Sequence, residues 1–237
     1  MKIEVYSNAD VVAQKAAALV AAEARAAVAA RGAFVMAVSG GRTPWQMLRA
    51  LVDEVVPWDA VHVVQVDERV APTGDPDRNL THLCVSLERA PLRSERIHAM
   101  PVERANLQEA CEEYALTLQA IAGSPPVLDL IHLGLGPDGH TASLVPGDAV
   151  LETKDTDVAL TGLYQGRRRM TLTYPILNRP RRVLWLVTGT EKASMLPRLR
   201  DGDAQIPAGR VRADHALVFA DQAAAGQLNN DARAEVA

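Results

Sequence analysis

The chain has 237 residues, of which 48% are hydrophobic and 4% aromatic, and its formal net charge is −4 at pH 7. This length and hydrophobic content suffice for one α/β domain with a sizeable core. The slightly acidic balance argues against general binding to nucleic acid or anionic membranes, and no apolar run approaches the roughly 20 residues that cross a bilayer. We expect one domain over residues 1–237, with a frayed tail from about Gln222.

Two features of the sequence indicate a cytoplasmic protein. The opening residues, MKIEVYSNAD, pass from Met into a predicted strand and lack the apolar core of a secretory signal. Cys84 and Cys111 both fall in predicted helices, and we interpret them as reduced thiols. No spacing of Cys and His residues is typical of a metal site, so none is predicted.

Strand and helix patterns alternate along the chain. Short apolar runs typical of buried strands are predicted at Ile3–Tyr6, Phe34–Val38, His62–Val66, Leu128–Leu133, Met170–Thr173, Val183–Val187 and Ala216–Phe219. Helices are predicted from an N-cap at Asp10 to about Arg31, from Pro44 to Leu51, and over Asn79–Arg89 and Leu107–Ile121. Near-continuous apolar strands between helices predict an α/β fold, with a mostly parallel sheet that helices cover on both faces.

The segment Leu128–Asp148, LDLIHLGLGPDGHTASLVPGD, carries the most informative pattern. A buried strand ends here in a Gly-rich turn, and open α/β folds place their ligands at the carboxyl edge of the sheet. The turn delivers an acid and a base that are two residues apart, Asp138 and His140. The segment therefore predicts a catalytic loop.

The same turn also matches the dinucleotide-binding fingerprint G-x-G-x-x-G, through Gly134, Gly136 and Gly139. That fingerprint requires a long helix after the turn and a ribose-binding acid about 20 residues further on. Pro146 and Gly147 interrupt the chain where the helix belongs. A dinucleotide site is therefore the weaker alternative.

A second site is predicted in the segment AVSGGRTP, between the second predicted strand and the second helix. Amides at the helix start, together with the hydroxyls of Ser39 and Thr43 and the charge of Arg42, form a cradle for an anion. The spacing of a Walker loop is absent, which favours a monophosphate over a nucleoside triphosphate. The alternative is that Gly40 and Gly41 only permit a tight turn.

Charged residues follow two further strand ends. Asp67, Glu68 and Arg69 come directly after the third predicted strand and precede a Pro- and Gly-rich loop long enough to cover a site; alternatively they form a solvated corner. Asn79, beyond this loop, is either a site residue or the N-cap of the next helix. Lys192 opens a predicted helix, where a cation is unfavourable unless an anion lies between it and the helix amides.

Five motifs occur together in the chain: SGGRTP, VDERVAP with the later DPDRN, GLGPDGHTASLVPG, RMTLTYPILN and TGTEKA. In this order and spacing they resemble the glucosamine-6-phosphate isomerase/6-phosphogluconolactonase family, from Ser39 to about Asp221. Its lactonases hydrolyse 6-phospho-D-glucono-1,5-lactone to 6-phospho-D-gluconate in the oxidative pentose phosphate pathway. The resemblance implies that activity for this chain, and a fold like that of glucosamine-6-phosphate deaminase and ribose-5-phosphate isomerase.

The resemblance also implies roles for particular residues. His140 would be the catalytic base, and Asp67, Arg69 and Asp138 would surround it. The residues expected to bind the substrate and its phosphate are Ser39, Gly40, Gly41, Arg42, Thr43, Asn79, Gly136, Arg169 and Lys192. Arg78 departs from the family pattern, in which Ser often precedes the Asn of this loop.

Lactone hydrolysis suits these residue types. Neutral His140 takes a proton from the water that attacks C1 and returns it to the leaving ring oxygen. Asp138 or Asp67 would orient the imidazole, and Arg69 or the amides of the Gly134–Gly139 turn would stabilise the oxyanion. The reaction requires no metal or organic cofactor. The expected partner is the sugar-phosphate lactone, with no nucleic acid or membrane, and the protein is expected to be a monomer or small homo-oligomer.

Two alternatives from other classes share the anion cradle. One is a glucosamine-6-phosphate deaminase-like isomerase. These relatives carry Asn-Glu shortly after a D-G-H segment, whereas Leu-Val-Pro-Gly stands here at 144–147, which favours the lactonase. The other is a non-catalytic sugar-phosphate sensor, which is disfavoured because no helix-turn-helix segment or basic face precedes the first predicted strand.

Overall fold

The computed structural model describes residues 1–228, and residues 229–237 lie outside the described part. Its strands are β1 (Lys2–Tyr6), β2 (Phe34–Val38), β3 (Val61–Gln65), β4 (Asp67–Arg69), β5 (Ile97–His98), β6 (Leu130–Gly134), β7 (Val158–Leu160), β8 (Arg169–Leu172), β9 (Val183–Val187) and β10 (Ala216–Asp221). Its helices are α1 (Ala9–Arg31), α2 (Arg42–Leu51), α3 (Asn79–Ser86), α4 (Leu107–Ala122), α5 (Tyr174–Leu177) and α6 (Met195–Arg200).

Seven of these strands form one parallel sheet in the order β1-β10-β9-β6-β2-β3-β5. Every residue of β2 and β9 is buried, because both faces of the sheet are covered and near-continuous apolar strands are required there. Helices α1, α2 and α3 pack on one face and α4 packs on the other. The predicted parallel α/β fold is confirmed.

The strand order reverses beside β2. The chain runs from β2 to β3 on one side and later returns to place β6 on the other side. Open α/β sheets bind ligands at such a reversal, beyond the carboxyl ends of the strands. The glycine turns that follow β2 and β6 therefore meet at the position where this fold places ligands.

A second sheet of three antiparallel strands, in the order β4-β8-β7, was not expected from the sequence. The apolar run predicted as a strand at Met170–Thr173 lies in this sheet rather than in the parallel one. Strands β4 and β7 have only three residues each, too few for an alternating pattern to be visible in the sequence. The side sheet joins the main sheet at Val66, which donates to the Val38 carbonyl and accepts from the Leu172 amide.

Three predicted helix starts are wrong. Helix α1 has Asn8 as its N-cap rather than Asp10, because the Asn8 side chain accepts a hydrogen bond from the Val11 amide at 3.0 Å. Helix α2 begins at Arg42, two residues before Pro44, with Gly41 at its N-cap position. The helix predicted to open at Lys192 begins instead as a 3-10 turn, followed by α6.

The last residues that the structure describes pack against the core. Ala224 and Ala225 are buried in a 3-10 turn that follows β10, so the frayed tail expected from Gln222 is wrong for residues 222–228. The rest of that expectation lies outside the described residues. Within residues 1–228, no helix is long and apolar enough to cross a membrane. Cys84 and Cys111 are free and lie in helices, as predicted.

Candidate active site

A cavity of about 580 Å³ opens at the carboxyl edge of the parallel sheet. Turns after β2, β6 and β9 (residues 39–43, 134–140 and 188–192) form one side, which we call the sheet-edge wall. Strands β4 and β8, with Asn79, form the other side, which we call the side-sheet wall. All predicted site residues except Asp138 line the cavity: Ser39, Gly40, Gly41, Arg42, Thr43, Asp67, Arg69, Asn79, Gly136, His140, Arg169 and Lys192.

Asp138 holds His140 in a fixed orientation. Its Oδ1 lies 2.5 Å from the His140 Nδ1 and accepts a hydrogen bond from the His140 amide at 3.1 Å. Burial raises the pKa of Asp138, but the bond from that amide and the attraction of the imidazole outweigh this effect and leave the pKa below its ordinary value. An ionised Asp138 keeps the Nδ1 proton in place, so Nε2 is available to accept another proton.

Of the two acids expected to orient the imidazole, only Asp138 contacts it among the described residues. Asp67 instead accepts a hydrogen bond from the Ser143 hydroxyl at 2.6 Å, and its carbonyl accepts one from the Asn79 amide group at 2.9 Å. Asp138 itself lines a neighbouring cavity of about 620 Å³. The two acids therefore occupy different environments, Asp138 beside the imidazole and Asp67 on the side-sheet wall.

The turn after β6 packs against the imidazole through glycine. The Gly136 amide donates to the His140 carbonyl at 2.8 Å, and the Gly139 amide donates to the Gly136 carbonyl at 3.0 Å. A Cβ at position 136 would lie 2.1 Å from the His140 Nδ1. Position 139 has a φ of +82°, which favours glycine. Glycine at these two positions therefore allows the turn to hold His140 where it is.

This turn does not open a helix. The next regular element after β6 is the short 3-10 turn Ala149–Glu152. Dinucleotide-binding folds place the pyrophosphate at the N-terminus of a helix that starts directly after the glycines. The G-x-G-x-x-G match here therefore lacks the structural context that the dinucleotide alternative requires.

The segment Ser39–Thr43 connects β2 to the start of α2. No side chain caps α2, so its first amide groups face the cavity without a side-chain partner. The hydroxyls of its first and last residues are already used: Ser39 donates to the His132 carbonyl at 3.1 Å, and Thr43 pairs with the Thr188 hydroxyl at 2.7 Å. An anion at this segment would therefore meet the backbone amides and Arg42 rather than these hydroxyls.

Arg69 and Arg169 lie directly opposite each other on strands β4 and β8. Like charges at paired positions of antiparallel strands are destabilising unless something neutralises them. Burial and the charge of Arg69 lower the pKa of Arg169, whose residue is only 7% exposed. The Nε atoms of both arginines are buried and have no hydrogen-bond partner in residues 1–228. This pair of cations on the cavity wall suits a bound anion.

Lys192 lies on the sheet-edge wall at the end of the Thr190–Lys192 turn. Burial lowers its pKa, and the charges of Glu191 and Asp138 act in the opposite direction. Lys192 and His140 line the same cavity. A partly buried cation there can hold an anionic substrate within reach of the imidazole.

Arg78 is buried in the structure and does not reach the cavity. It is 2% exposed and pairs with Glu68 at 3.4 Å and with Glu103 at 3.2 Å. Glu68 also accepts hydrogen bonds from the amides of Arg69 and Asn79, each at 2.8 Å. Arg78 therefore stabilises the loop through these ion pairs without lining the cavity. Asn79, the first residue of α3, does line the cavity.

The sequence offered no reason to include His132, yet it lines the cavity. It is fully buried within β6, and its Nδ1 accepts a hydrogen bond from the Ser39 amide at 3.3 Å. Burial lowers its pKa to about 3, so the ring is neutral at physiological pH. Its position in an apolar strand resembled that of a packed core residue, and only its place two residues before Gly134 pointed to the site.

The family model for glucosamine-6-phosphate isomerases/6-phosphogluconolactonase matches residues 7–219. The 6-phosphogluconolactonase of Synechocystis sp. is 33% identical over 226 residues, covering 92% of this chain and 94% of the relative. That of Rattus norvegicus is 34% identical over 243 residues, covering 94% and 89%. The crystal structure of 6-phosphogluconolactonase from Thermotoga maritima matches with a TM-score of 0.81 at 27% identity, covering 93% of this chain and 98% of that one. The chain therefore belongs to the glucosamine-6-phosphate isomerase/6-phosphogluconolactonase family.

Proposed function

We propose that the protein hydrolyses 6-phospho-D-glucono-1,5-lactone to 6-phospho-D-gluconate. The observation that carries the proposal is the Asp138–His140 pair beside a cavity whose walls hold several cationic side chains. A general base next to an anion site suits an ester that carries a phosphate. Relatives named 6-phosphogluconolactonase, at 33% and 34% identity over more than nine-tenths of the chain, support the same reaction.

In this proposal, His140 moves one proton in two steps. Its Nε2 takes a proton from a water molecule as the water oxygen attacks C1, and the carbonyl oxygen becomes an oxyanion. When the oxyanion collapses, the bond between C1 and the ring oxygen breaks, and the imidazolium returns the proton to that oxygen. Asp138 stabilises the transient imidazolium and keeps its orientation. The product carboxylic acid then ionises. Each step uses protein groups and one water molecule.

Two kinds of anion have to be held during this reaction. We assign the phosphate to the amides at the start of α2, with Arg42, Arg169 and Lys192, because a phosphate monoester carries about −1.5 to −2 charges at pH 7. The same dianion offsets the repulsion between Arg69 and Arg169. For the oxyanion we assign Arg69 or an amide of the glycine turn, a contribution worth about 3–4 kcal/mol per donor in other hydrolases.

We place the reaction in the cytoplasm and in the oxidative pentose phosphate pathway, with the small-molecule lactone as the partner. The moderate negative charge, −4, gives the chain no general affinity for nucleic acid, which supports a small-molecule partner. A monomer or a small homo-oligomer is sufficient for it, because the described residues of one chain already supply the base, its acid and the cations.

The test of the proposal is the rate of 6-phosphogluconolactone loss, with freshly generated lactone, above its spontaneous hydrolysis. We expect a large catalysed excess with the purified protein and no ammonia release from glucosamine 6-phosphate. Ammonia release without lactone hydrolysis would replace the lactonase by the deaminase-like alternative. Binding of 6-phosphogluconate without either reaction would replace it by a sugar-phosphate sensor.

A further inference from the structure

We propose that Arg167 is a positioning residue, which sets the spacing of Arg69 and Arg169 by joining the two loops that support them. One is the front loop, residues 70–78, and the other is the hairpin arm, residues 161–168. Arg167 does not line the cavity, and on the sequence alone it would pass for a solvated surface residue. The inference rests on the proposed function, since it concerns how the same site holds its anionic substrate.

Arg167 bridges the two loops through two carboxylates. Its Nη1 lies 3.1 Å from the Asp75 carboxylate and its Nη2 lies 3.3 Å from the Asp77 carboxylate, both on the front loop. The Asp75 carboxylate also accepts the Asp77 amide at 2.8 Å, so the two acids form one rigid turn. The guanidinium therefore contacts a preformed pair of acceptors, and one side chain fastens the tip of the front loop to the arm.

On the front loop, the fastened turn holds Arg69. The Asp77 carbonyl accepts a hydrogen bond from the Arg69 Nη1 at 2.7 Å, and the same Nη1 donates to the Asn79 Oδ1 at 2.8 Å. A shift of Asp77 would thus move one of the two acceptors that orient the Arg69 guanidinium. The side chain of Asp77 contacts Arg167 while its carbonyl contacts Arg69, so the link passes through a single residue.

On the hairpin arm, the same residue is tied to the supports of Arg169. Arg167 and Tyr164 exchange backbone hydrogen bonds at 3.0 and 3.2 Å around the turn Gln165–Gly166. Both turn residues have positive φ, +51° and +77°, as a tight two-residue hairpin turn requires. Arg169 lies over the Tyr164 ring at 4.8 Å and donates to the Gln165 side chain at 3.1 Å.

The two arginines need such a link because they repel each other across the strand pair. Each is held by a different loop, and the repulsion favours any movement that separates the loops. Arg167 opposes that movement by attracting the front loop to the arm. Loosening this link would widen the distance between the cations, so the anionic substrate would bind more weakly. The arm also contacts His140, through the Tyr164 ring at 5.9 Å between ring centroids, but the two hydrogen bonds with Asp138 hold the imidazole independently of the arm, so kcat should change little.

The experiment compares Arg167→Ala with Arg168→Ala, which removes a neighbouring charge of the same arm. Within residues 1–228, the Arg168 side chain donates only to the Thr161 carbonyl. For Arg167→Ala we expect KM for the lactone to rise three- to tenfold, with kcat within twofold of the wild type. The difference should shrink in 0.5 M salt, because partly exposed ion pairs are screened there. Arg168→Ala should match the wild type, and Arg167→Lys should recover part of the loss.

A double-mutant cycle separates positioning from a general loss of structure. In the Asp75→Asn/Asp77→Asn background, Arg167→Ala should have no further effect on KM. An unchanged KM in the single variant, or an undiminished effect in that background, would overturn the inference. An inactive wild type would contradict the proposed function instead. In that case calorimetric titration with inorganic phosphate decides: weaker binding by Arg167→Ala than by Arg168→Ala upholds the inference, and equal binding overturns it.

Discussion

The two walls of the cavity are built in different ways. The sheet-edge wall consists mainly of backbone, since glycines bring its turns close to His140, and the strands behind it are fully buried. The side-sheet wall consists of side chains on strands of three and four residues, held by hydrogen bonds and ion pairs. The backbone of the first wall cannot easily change its conformation after a substitution, whereas the ion-paired side chains of the second wall can. We therefore expect damage to the first wall to appear in kcat and damage to the second in KM.

The largest effect is expected from Asp138→Asn. The amide is nearly isosteric but cannot keep the Nδ1 proton of His140 as the carboxylate does, so the imidazole takes the wrong tautomer. We expect kcat to fall by up to about 10⁴-fold, as for the orienting acid of other hydrolases, with KM within threefold of the wild type. Steady-state kinetics on fresh lactone measures both. A kcat within tenfold of the wild type would remove Asp138 from the orienting role.

Gly136→Ala tests the backbone of the same wall. The new Cβ would lie 2.1 Å from the His140 Nδ1, so the imidazole has to move. Displacement of a reacting group by about 1 Å costs about 10²-fold, which we expect in kcat. Gly134→Ala is the matched control, because a Cβ there meets no atom within 4 Å. Equal kcat values for the two variants would show that the turn does not position His140.

The buried His132 makes stability depend on pH. Its pKa in the folded chain, about 3, is far below the ordinary value of 6.5. Between these values the unfolded chain binds a proton and the folded chain does not, so stability falls as the pH drops from 6.5 toward 3. From pH 7.5 to pH 5, this one group should lower the free energy of unfolding by about 2 kcal/mol.

Urea unfolding of the wild type and of His132→Asn at these two pH values measures that contribution. The Asn side chain keeps an acceptor for the Ser39 amide but does not titrate. The variant should therefore lose about 2 kcal/mol less than the wild type over this range. An equal loss in both proteins would mean that protonation of His132 does not oppose folding.

A smaller effect is expected on the side-sheet wall, for Arg169→Ala. Removing this cation should raise KM for the phosphorylated lactone about tenfold and leave kcat within threefold, since one charge-assisted contact is lost. Glucono-1,5-lactone, which has no phosphate, is the matched substrate. Its kcat/KM should not change in the variant. A loss of the same size with both substrates would place Arg169 at the oxyanion rather than at the phosphate.

The sequence predicted the sheet-edge wall well because its chemistry is local. A buried strand, a glycine turn and the residues that follow form one continuous segment, and Asp138 and His140 lie within three positions of each other. Parallel strands then bring such segments to one edge of the sheet whatever the rest of the chain does. Lys192 was singled out by its position at a predicted helix start, and the resemblance to the family added the phosphate role of Lys192 and, on the other wall, of Arg169.

The side sheet was not predicted, because it depends on pairing between distant residues, although the residues of its wall were expected in the site. Asp67–Arg69 was predicted as a charged segment after the third strand, and only its pairing with Arg169–Leu172, about 100 positions further along the chain, makes it a strand. His132 was overlooked because the sequence of an apolar strand does not show which of its side chains lies at the cavity. Arg78 was unexplained, since its partners Glu68 and Glu103 are brought to it by the fold.

The measurement that tests the central claim most directly is the initial rate of 6-phosphogluconolactone hydrolysis by the wild type and His140→Ala, side by side. We expect the wild type to exceed the spontaneous rate greatly. The variant should lose about 10²–10⁴-fold in kcat while 6-phosphogluconate still binds, because the proton transfer is lost and the cations remain. A variant with the turnover of the wild type would contradict the assignment of His140 as the base, and with it the account of the site.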